Sequence, residues 1–184
     1  MPTLMLRHRL ASLTVLGLVA TAGCSKPETA ATDAPPLAFN DFEAVAGWMP
    51  NAETISRERA HSGSYSVKVG PENEFGMGYR MVLEKIIDHR PHKIRVEGWG
   101  YMTDITSTAN LGFQIFDEAA GKEIFGDGIP YADAVHTPGK WIKISKDIVL
   151  PNTVTGNQQL RVFLWRAGAT TPAYIDDLRI SEVE

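Results

Sequence analysis

The chain has 184 residues, of which 43% are hydrophobic and 22% are charged. This composition is typical of a globular protein and excludes a chain that is disordered throughout, and the length suits one domain with a short appendage. The formal net charge of −4 gives no electrostatic basis for binding nucleic acid, so we expect no nucleic-acid partner.

The first 23 residues have the order of a secretory signal peptide. Arg7, His8 and Arg9 form a short basic stretch, and an apolar run follows from Leu10 to Ala20. This run is shorter than the roughly 20 apolar residues that a spanning helix needs, and small residues end it. We therefore predict a cleaved signal peptide at residues 1–23.

The only cysteine of the chain, Cys24, directly follows this signal. The stretch from Ala20 to Cys24, Ala-Thr-Ala-Gly-Cys, resembles the lipobox of bacterial lipoproteins, although Thr21 stands where that motif prefers Leu or Val. The resemblance implies that the chain is cleaved before Cys24 and that acyl chains on this residue anchor the protein in a membrane. The other interpretation is an ordinary signal peptide followed by a chance cysteine.

The residues after Cys24 indicate a destination and a tether. By resemblance to lipoprotein sorting in Gram-negative bacteria, Ser25 rather than an aspartate at this position favours the outer membrane. Residues 25–38 contain three prolines and many small residues without apolar periodicity, so they cannot bury enough surface to fold. We predict a lipidated cysteine and flexible tether at residues 24–38 and one folded domain at residues 39–184.

Short segments of this domain alternate between apolar and polar residues. The clearest of them span residues 65–69, 93–101, 110–116, 142–150, 160–165 and 174–180. Turn residues separate the segments, as in His61-Ser62-Gly63, and residues 117–122 fit a hairpin loop. Strands at this spacing predict an all-β fold, an antiparallel β-sandwich.

Five short motifs follow one another in the domain. In chain order they are Asn40-Asp41-Phe42-Glu43, Gly47-Trp48, Arg-Ala-His-Ser-Gly-Ser-Tyr-Ser-Val at 59–67, Gly139-Lys140-Trp141 and Tyr-Ile-Asp-Asp-Leu at 174–178. Their order resembles that of the jelly-roll carbohydrate-binding modules of families 4, 9 and 22, within the galactose-binding-like group, over about residues 39–182. The resemblance implies a jelly-roll sandwich and a polysaccharide or other glycan as partner.

The same resemblance implies a structural calcium ion, which these modules often hold near the chain termini. The matching positions are Asp41 or Glu43 near the first strand, the carbonyl groups of residues 61–63, and Asp176 on the last strand. Carboxylate, carbonyl and water oxygens together satisfy the six to eight ligands that calcium takes. The alternative is that these acids are solvated or hydrogen-bonded surface groups.

With the aliphatic side of each strand taken as inward, aromatic and polar residues share the opposite side. Those predicted to bind a ligand are Trp99, Tyr101, Gln114, Arg161 and Trp165. Flat rings cover the CH faces of a sugar, while amide and guanidinium groups hydrogen-bond to its hydroxyls. The alternative is that these rings pack beneath loops. Trp141, at the start of a strand, is predicted to lie in the core.

Motifs of catalysis are missing from the sequence. It contains no Gly-x-Ser-x-Gly elbow, no His-Glu-x-x-His helix and no phosphate-binding loop. We therefore predict a non-catalytic, outer-membrane-anchored carbohydrate-binding lipoprotein. Two other functions stay open: an envelope scaffold that binds a protein partner through the sandwich, and a small polysaccharide hydrolase or lyase with Glu97, Asp117 and Asp127 as candidate acids.

Overall fold

The structure is a computed structural model that describes residues 35–44 and 52–184. Cys24, the signal peptide and Trp48 lie outside the described residues. Ten strands occur in the described ranges: β1 (Ala38–Asn40), β2 (Ile55–Ser56), β3 (Ser66–Val69), β4 (Tyr79–Val82), β5 (Lys93–Met102), β6 (Asn110–Asp117), β7 (Lys122–Pro130), β8 (Trp141–Val149), β9 (Gln159–Trp165) and β10 (Ala173–Val183).

The helical elements are short. Two 3₁₀ turns span Ala52–Thr54 and Leu83–Lys85, and one α-helical turn, α1, spans Tyr131–Ala134 between β7 and β8. None of the helices within residues 35–44 and 52–184 has the length and apolar character needed to cross a membrane.

The strands form two antiparallel sheets that enclose one core. The first sheet has the order β2-β3-β10-β5-β8, and β1 pairs with the C-terminal half of β10 on the same edge as β3. The second sheet has the order β4-β9-β6-β7. This architecture confirms the predicted antiparallel β-sandwich.

The aliphatic side of each long strand faces the core, as the alternation predicted. In β5, Ile94 and Val96 are buried, while Lys93 and Arg95, which alternate with them, face outward. β6 and β9 bury the same kind of row: Leu111, Phe113, Ile115, Leu160, Val162 and Leu164. Burying each such side chain contributes about 1.5–3 kcal/mol, so a slip of one residue, which would turn the whole row toward water, is strongly disfavoured.

Tyr131 of α1 fills the inward space above Gly100 of β5. The side chain of Tyr131 is fully buried, and its hydroxyl donates a hydrogen bond to the Tyr174 carbonyl oxygen at 2.9 Å. A Cβ atom at Gly100 would lie 3.1 Å from Cζ of Tyr131, so glycine makes room for the ring. One helical turn thus ties the end of β7 to β5 and β10.

The prediction that Trp141 lies in the core is wrong. Trp141 is only partly buried and lies on the outer face of the first sheet, where it pairs with Tyr101 and their ring centroids are 5.3 Å apart. The alternation of β8 explains this position, because Ile142, Ile144 and Ile148 occupy the inward side of the strand.

Candidate functional site

The five residues predicted to bind a ligand do not share one face. Trp99 and Tyr101 lie on β5 in the first sheet, whereas Gln114, Arg161 and Trp165 lie on β6 and β9 in the second sheet. All five point away from the core, and the outer faces of two packed sheets look in opposite directions. The single predicted face is therefore corrected to two separate surfaces.

On the first sheet, the loop before β3 covers both predicted aromatic residues. The ring of His61 stacks on Trp99 with 3.8 Å between centroids and 13° between planes. The guanidinium of Arg59 lies 4.7 Å from the centre of the Tyr101 ring, and Tyr101 is only 7% exposed. This pair matches the alternative that aromatic residues pack beneath a loop.

On the second sheet, two aromatic rings are open to solvent. Phe75 is 54% exposed and Trp165 is 39% exposed, and their rings lie nearly parallel, 16° apart in plane and 6.5 Å between centroids. Phe163 meets Phe75 edge-on at 5.7 Å. We call Phe75 and Trp165 the aromatic pair.

The backbone fixes Phe75 in this position. Residues 74–76 extend the second sheet beside β9, since the Gly76 amide donates to the Leu164 carbonyl at 2.8 Å and the Arg166 amide donates to the Glu74 carbonyl at 2.8 Å. The sequence-based prediction missed Phe75, because it lies in no alternating segment. Its one local signal is the pair of glycines that follows, Gly76 and Gly78.

A depression of about 330 Å³, which we call the groove, borders Phe75 of the aromatic pair. Its lining combines aromatic, glycine and cationic residues: Phe75, Gly76, Gly78, Tyr79, Arg80, Gln114, Arg161, Val162 and Phe163. Two of the predicted residues, Gln114 and Arg161, therefore lie in the groove, and Trp165 stacks on a residue that lines it.

The polar groups of the groove are held in place by neighbours. The guanidinium of Arg161 lies 3.7 Å from the centre of the Phe116 ring and donates to Glu118 Oε1 at 2.5 Å. The amide nitrogen of Gln114 donates to Glu123 Oε2 at 2.6 Å. Side chains that are already ordered lose less conformational freedom when a ligand binds, which favours binding.

Glycines let the aromatic rings lie close to the sheet. A Cβ atom at Gly112 would lie 2.8 Å from the Phe163 ring, and one at Gly78 would lie 2.4 Å from the Val162 carbonyl oxygen. Both distances are too short for a real Cβ, so these positions require glycine. Because these glycines carry no side chain, the surface of the sheet is lower at these points, which leaves room for the groove.

The residues matched to calcium surround the turn at 61–65. Asp176 is buried, and its Oδ2 accepts backbone N–H groups from His61 at 2.7 Å and Ser62 at 3.2 Å, while Oδ1 accepts the Asp177 amide at 2.7 Å. Burial raises the pKa of the Asp176 carboxyl, although these three donors oppose the shift. A bulge at Asp177, where φ is +49°, allows the two adjacent acids in β10.

Glu43 holds the other side of the same turn. Its Oε1 accepts the amides of Ser64 and Tyr65, both at 2.8 Å, and its carboxyl lies over Gly63, whose φ is +56°. Asp41 accepts the Glu43 amide at 3.2 Å. The predicted convergence of the first strand, the last strand and this turn is therefore present.

The carboxylates of Glu43 and Asp176 meet N–H donors of the turn. The resemblance implies carbonyl oxygens of residues 61–63 as calcium ligands at this place. Among the residues that the structure describes, no three His, Cys, Asp or Glu side chains are grouped to hold a metal. The calcium site at Asp41, Glu43 and Asp176 stays a prediction from the resemblance.

The sequence matches no protein-family model and no curated protein sequence. Among solved structures, a CBM22-2 xylan-binding domain from Paenibacillus barcinonensis is 19% identical with a TM-score of 0.50, and the match covers 80% of this chain and 99% of that chain. A CBM22-1–CBM22-2 tandem domain from the same organism is 18% identical with a TM-score of 0.54, covering 86% and 52%. These likenesses show that the fold is that of β-sandwich carbohydrate-binding modules.

Proposed function

We propose that the protein binds a glycan on the outer face of its second sheet. The observation that carries the proposal is the aromatic pair, two exposed and nearly parallel rings beside the groove. Such rings cover the CH face of a sugar, and Arg161 and Gln114 offer hydrogen bonds to its hydroxyls. The fold shared with carbohydrate-binding modules supports this proposal.

The groove supports binding rather than catalysis. Glycoside hydrolysis by the usual route needs two carboxylates across a cleft. The groove is lined by no carboxylate from the described part of the chain, and the nearby Glu118 and Glu123 are bonded to Arg161 and Gln114. In the proposed function, the protein therefore binds a polysaccharide without cleaving it.

The proposal includes a lipid anchor at Cys24 and a place in the outer membrane. Its support is the lipobox-like stretch from Ala20 to Cys24 and the tether up to residue 38. An anchored binding domain on a tether would keep a polysaccharide close to the cell envelope.

A second candidate function, an envelope interaction protein, is favoured by an apolar depression of about 410 Å³ beside β1. Leu37, Phe39 and Phe42 line part of it, and Phe39 is 53% exposed. An exposed apolar surface of this kind also suits a protein partner.

Retention of variants in polysaccharide affinity gels distinguishes these functions. Because Phe75 and Trp165 are exposed, we expect Phe75→Ala and Trp165→Ala to keep their melting temperature and to lose affinity about tenfold on the retaining polysaccharide. Xylan is the first neutral polymer to test, because one of the similar solved structures is a xylan-binding domain. Trp99→Ala is the matched control, since Trp99 lies on the opposite sheet beneath His61.

Two results would contradict the proposal. Loss of retention in Trp99→Ala, with full retention in Trp165→Ala, would place the site on the first sheet. A natural protein that no polysaccharide retains, and that instead binds an envelope protein through Phe39, would favour the interaction protein.

A further inference from the structure

The charged residues that line the groove are both arginines. Arg80 on β4 and Arg161 on β9 are direct cross-strand partners on the outer face of the second sheet. Like charges placed opposite each other lower the stability of a sheet. The whole chain carries a net charge of −4, and this arginine pair does not stabilise the sheet. Its position in the groove therefore points to a role in binding a ligand.

The two arginines differ in what they contact. Arg161 is paired with Glu118 and its side chain is only 16% exposed. Arg80 is exposed, and it forms no ion pair or side-chain hydrogen bond with any residue of 35–44 or 52–184. Its guanidinium keeps its charge at any physiological pH and has five N–H donors free for a ligand.

Acidic side chains near the groove do not neutralise Arg80. Glu118 accepts from Arg161, and Glu123 accepts from Gln114. A ligand in the groove would thus meet one uncompensated cation at the edge of an aromatic surface. The planar guanidinium matches a carboxylate with two parallel hydrogen bonds, which a neutral hydroxyl cannot form.

From this arrangement we infer that the groove selects glycans that carry carboxylate groups, with Arg80 binding the carboxylate of one sugar unit and the aromatic pair covering the ring of a neighbouring unit. The inference rests on the proposed function, because it assigns a substrate class to the site proposed above. It makes the glycan an acidic polysaccharide built from uronic acids.

Polygalacturonate and its methyl ester test the inference, because the two polymers share one sugar backbone and differ in charge. Binding is measured for both by calorimetry and affinity electrophoresis. We expect the natural protein to bind polygalacturonate about tenfold more tightly than the ester, and Arg80→Gln to lose this preference while binding the ester as before. Raising NaCl from about 50 to about 500 mM should weaken only the binding of polygalacturonate.

Arg95→Gln is the matched control, since it removes the same charge from the outer face of the first sheet, and it should keep the preference. Equal binding of the two polymers by the natural protein, or loss of the preference in Arg95→Gln as well, overturns the inference. Retention on xylan without retention on polygalacturonate overturns it too and leaves the proposed function standing. If no polysaccharide gel retains the natural protein, and Trp165→Ala migrates as the natural protein does, the proposed function fails and the inference fails with it.

Discussion

Asp176 shows, at the scale of a single residue, how one buried carboxylate organises this fold. It is 0% exposed and accepts three backbone N–H groups, two from the turn before β3 and one from its own strand. It therefore holds the turn against β10 by direct hydrogen bonds. Removing one of these acceptors would leave a buried N–H donor without a partner, which makes the residue sensitive to substitution.

We expect Asp176→Asn to lower the free energy of unfolding by about 1–3 kcal/mol, because an amide has one acceptor oxygen and its NH₂ would face an N–H donor. Burial raises the pKa of Asp176 in the folded state, so its contribution to stability is greatest below the ordinary aspartate pKa and is lost as pH rises through the folded value. The measurement is denaturant unfolding of the natural protein and of Asp176→Asn, from below the ordinary aspartate pKa to neutral pH. The difference between their free energies of unfolding should shrink as the pH rises.

Chelation of calcium tests whether Asp176 acts instead as a metal ligand. If Asp176 and Glu43 held calcium, EDTA would lower the melting temperature of the natural protein and have no effect on the Asp176→Asn, Glu43→Gln double variant. An unchanged melting temperature of the natural protein would leave Asp176 and Glu43 as acceptors for the backbone N–H groups of the turn.

The sequence predicted which residues of the long strands are buried but not all of the residues that matter in the site. Alternation is a local property, and it correctly placed Gln114, Arg161 and Trp165 on an outer face. Phe75 was missed because one backbone bridge to Trp165, and not a strand pattern, sets its position. Tyr131 was missed because its helical turn is too short to show periodicity. The sequence therefore predicts Trp141, and not Tyr131, as the large aromatic residue of the core.

At the scale of elements, the β4–β9 pairing places two arginines of the proposed site opposite each other, which lowers the stability of the sheet. We expect Arg80→Gln to raise the melting temperature by roughly 1–3 °C, because removing one of two opposed like charges recovers about 0.2–1 kcal/mol. Thermal unfolding at low salt measures this effect. Arg95→Gln, which breaks an ion pair with Asp147, should not raise it, and a rise in both variants would point to a general charge effect instead.

The assignment of strands to sheets could not be predicted from the sequence. β5, β6 and β9 show the same alternation, yet β5 belongs to one sheet and β6 and β9 to the other. The partner of a strand is chosen by hydrogen bonds between residues far apart in sequence, which no local pattern records. β7 escaped detection because Gly126, Gly128 and Pro130 are disfavoured in strands, and its pairing with β6 outweighs that preference.

The proposed lipid anchor concerns the whole molecule and is tested at Cys24. Because acyl chains on this residue are proposed to supply the membrane attachment, we expect Cys24→Ser to leave an unprocessed precursor or to release the protein into the soluble fraction. Fractionation of cells followed by mass measurement of the mature N-terminus checks both results. Normal processing and unchanged membrane fractionation of the variant would contradict the anchor.

The central place of β10 has a consequence for the order in which the molecule forms. β10 is the last of the ten described strands in chain order, yet it lies between β3 and β5 and also pairs with β1. Before it emerges, the β2–β3 and β5–β8 pairs are separate two-stranded ribbons, which are marginally stable in water. The first sheet therefore closes only after the other nine strands have been synthesised, and its long-range pairing makes folding slow. Until then the second sheet, whose four strands all precede β10 in the chain, has no complete partner sheet to pack against.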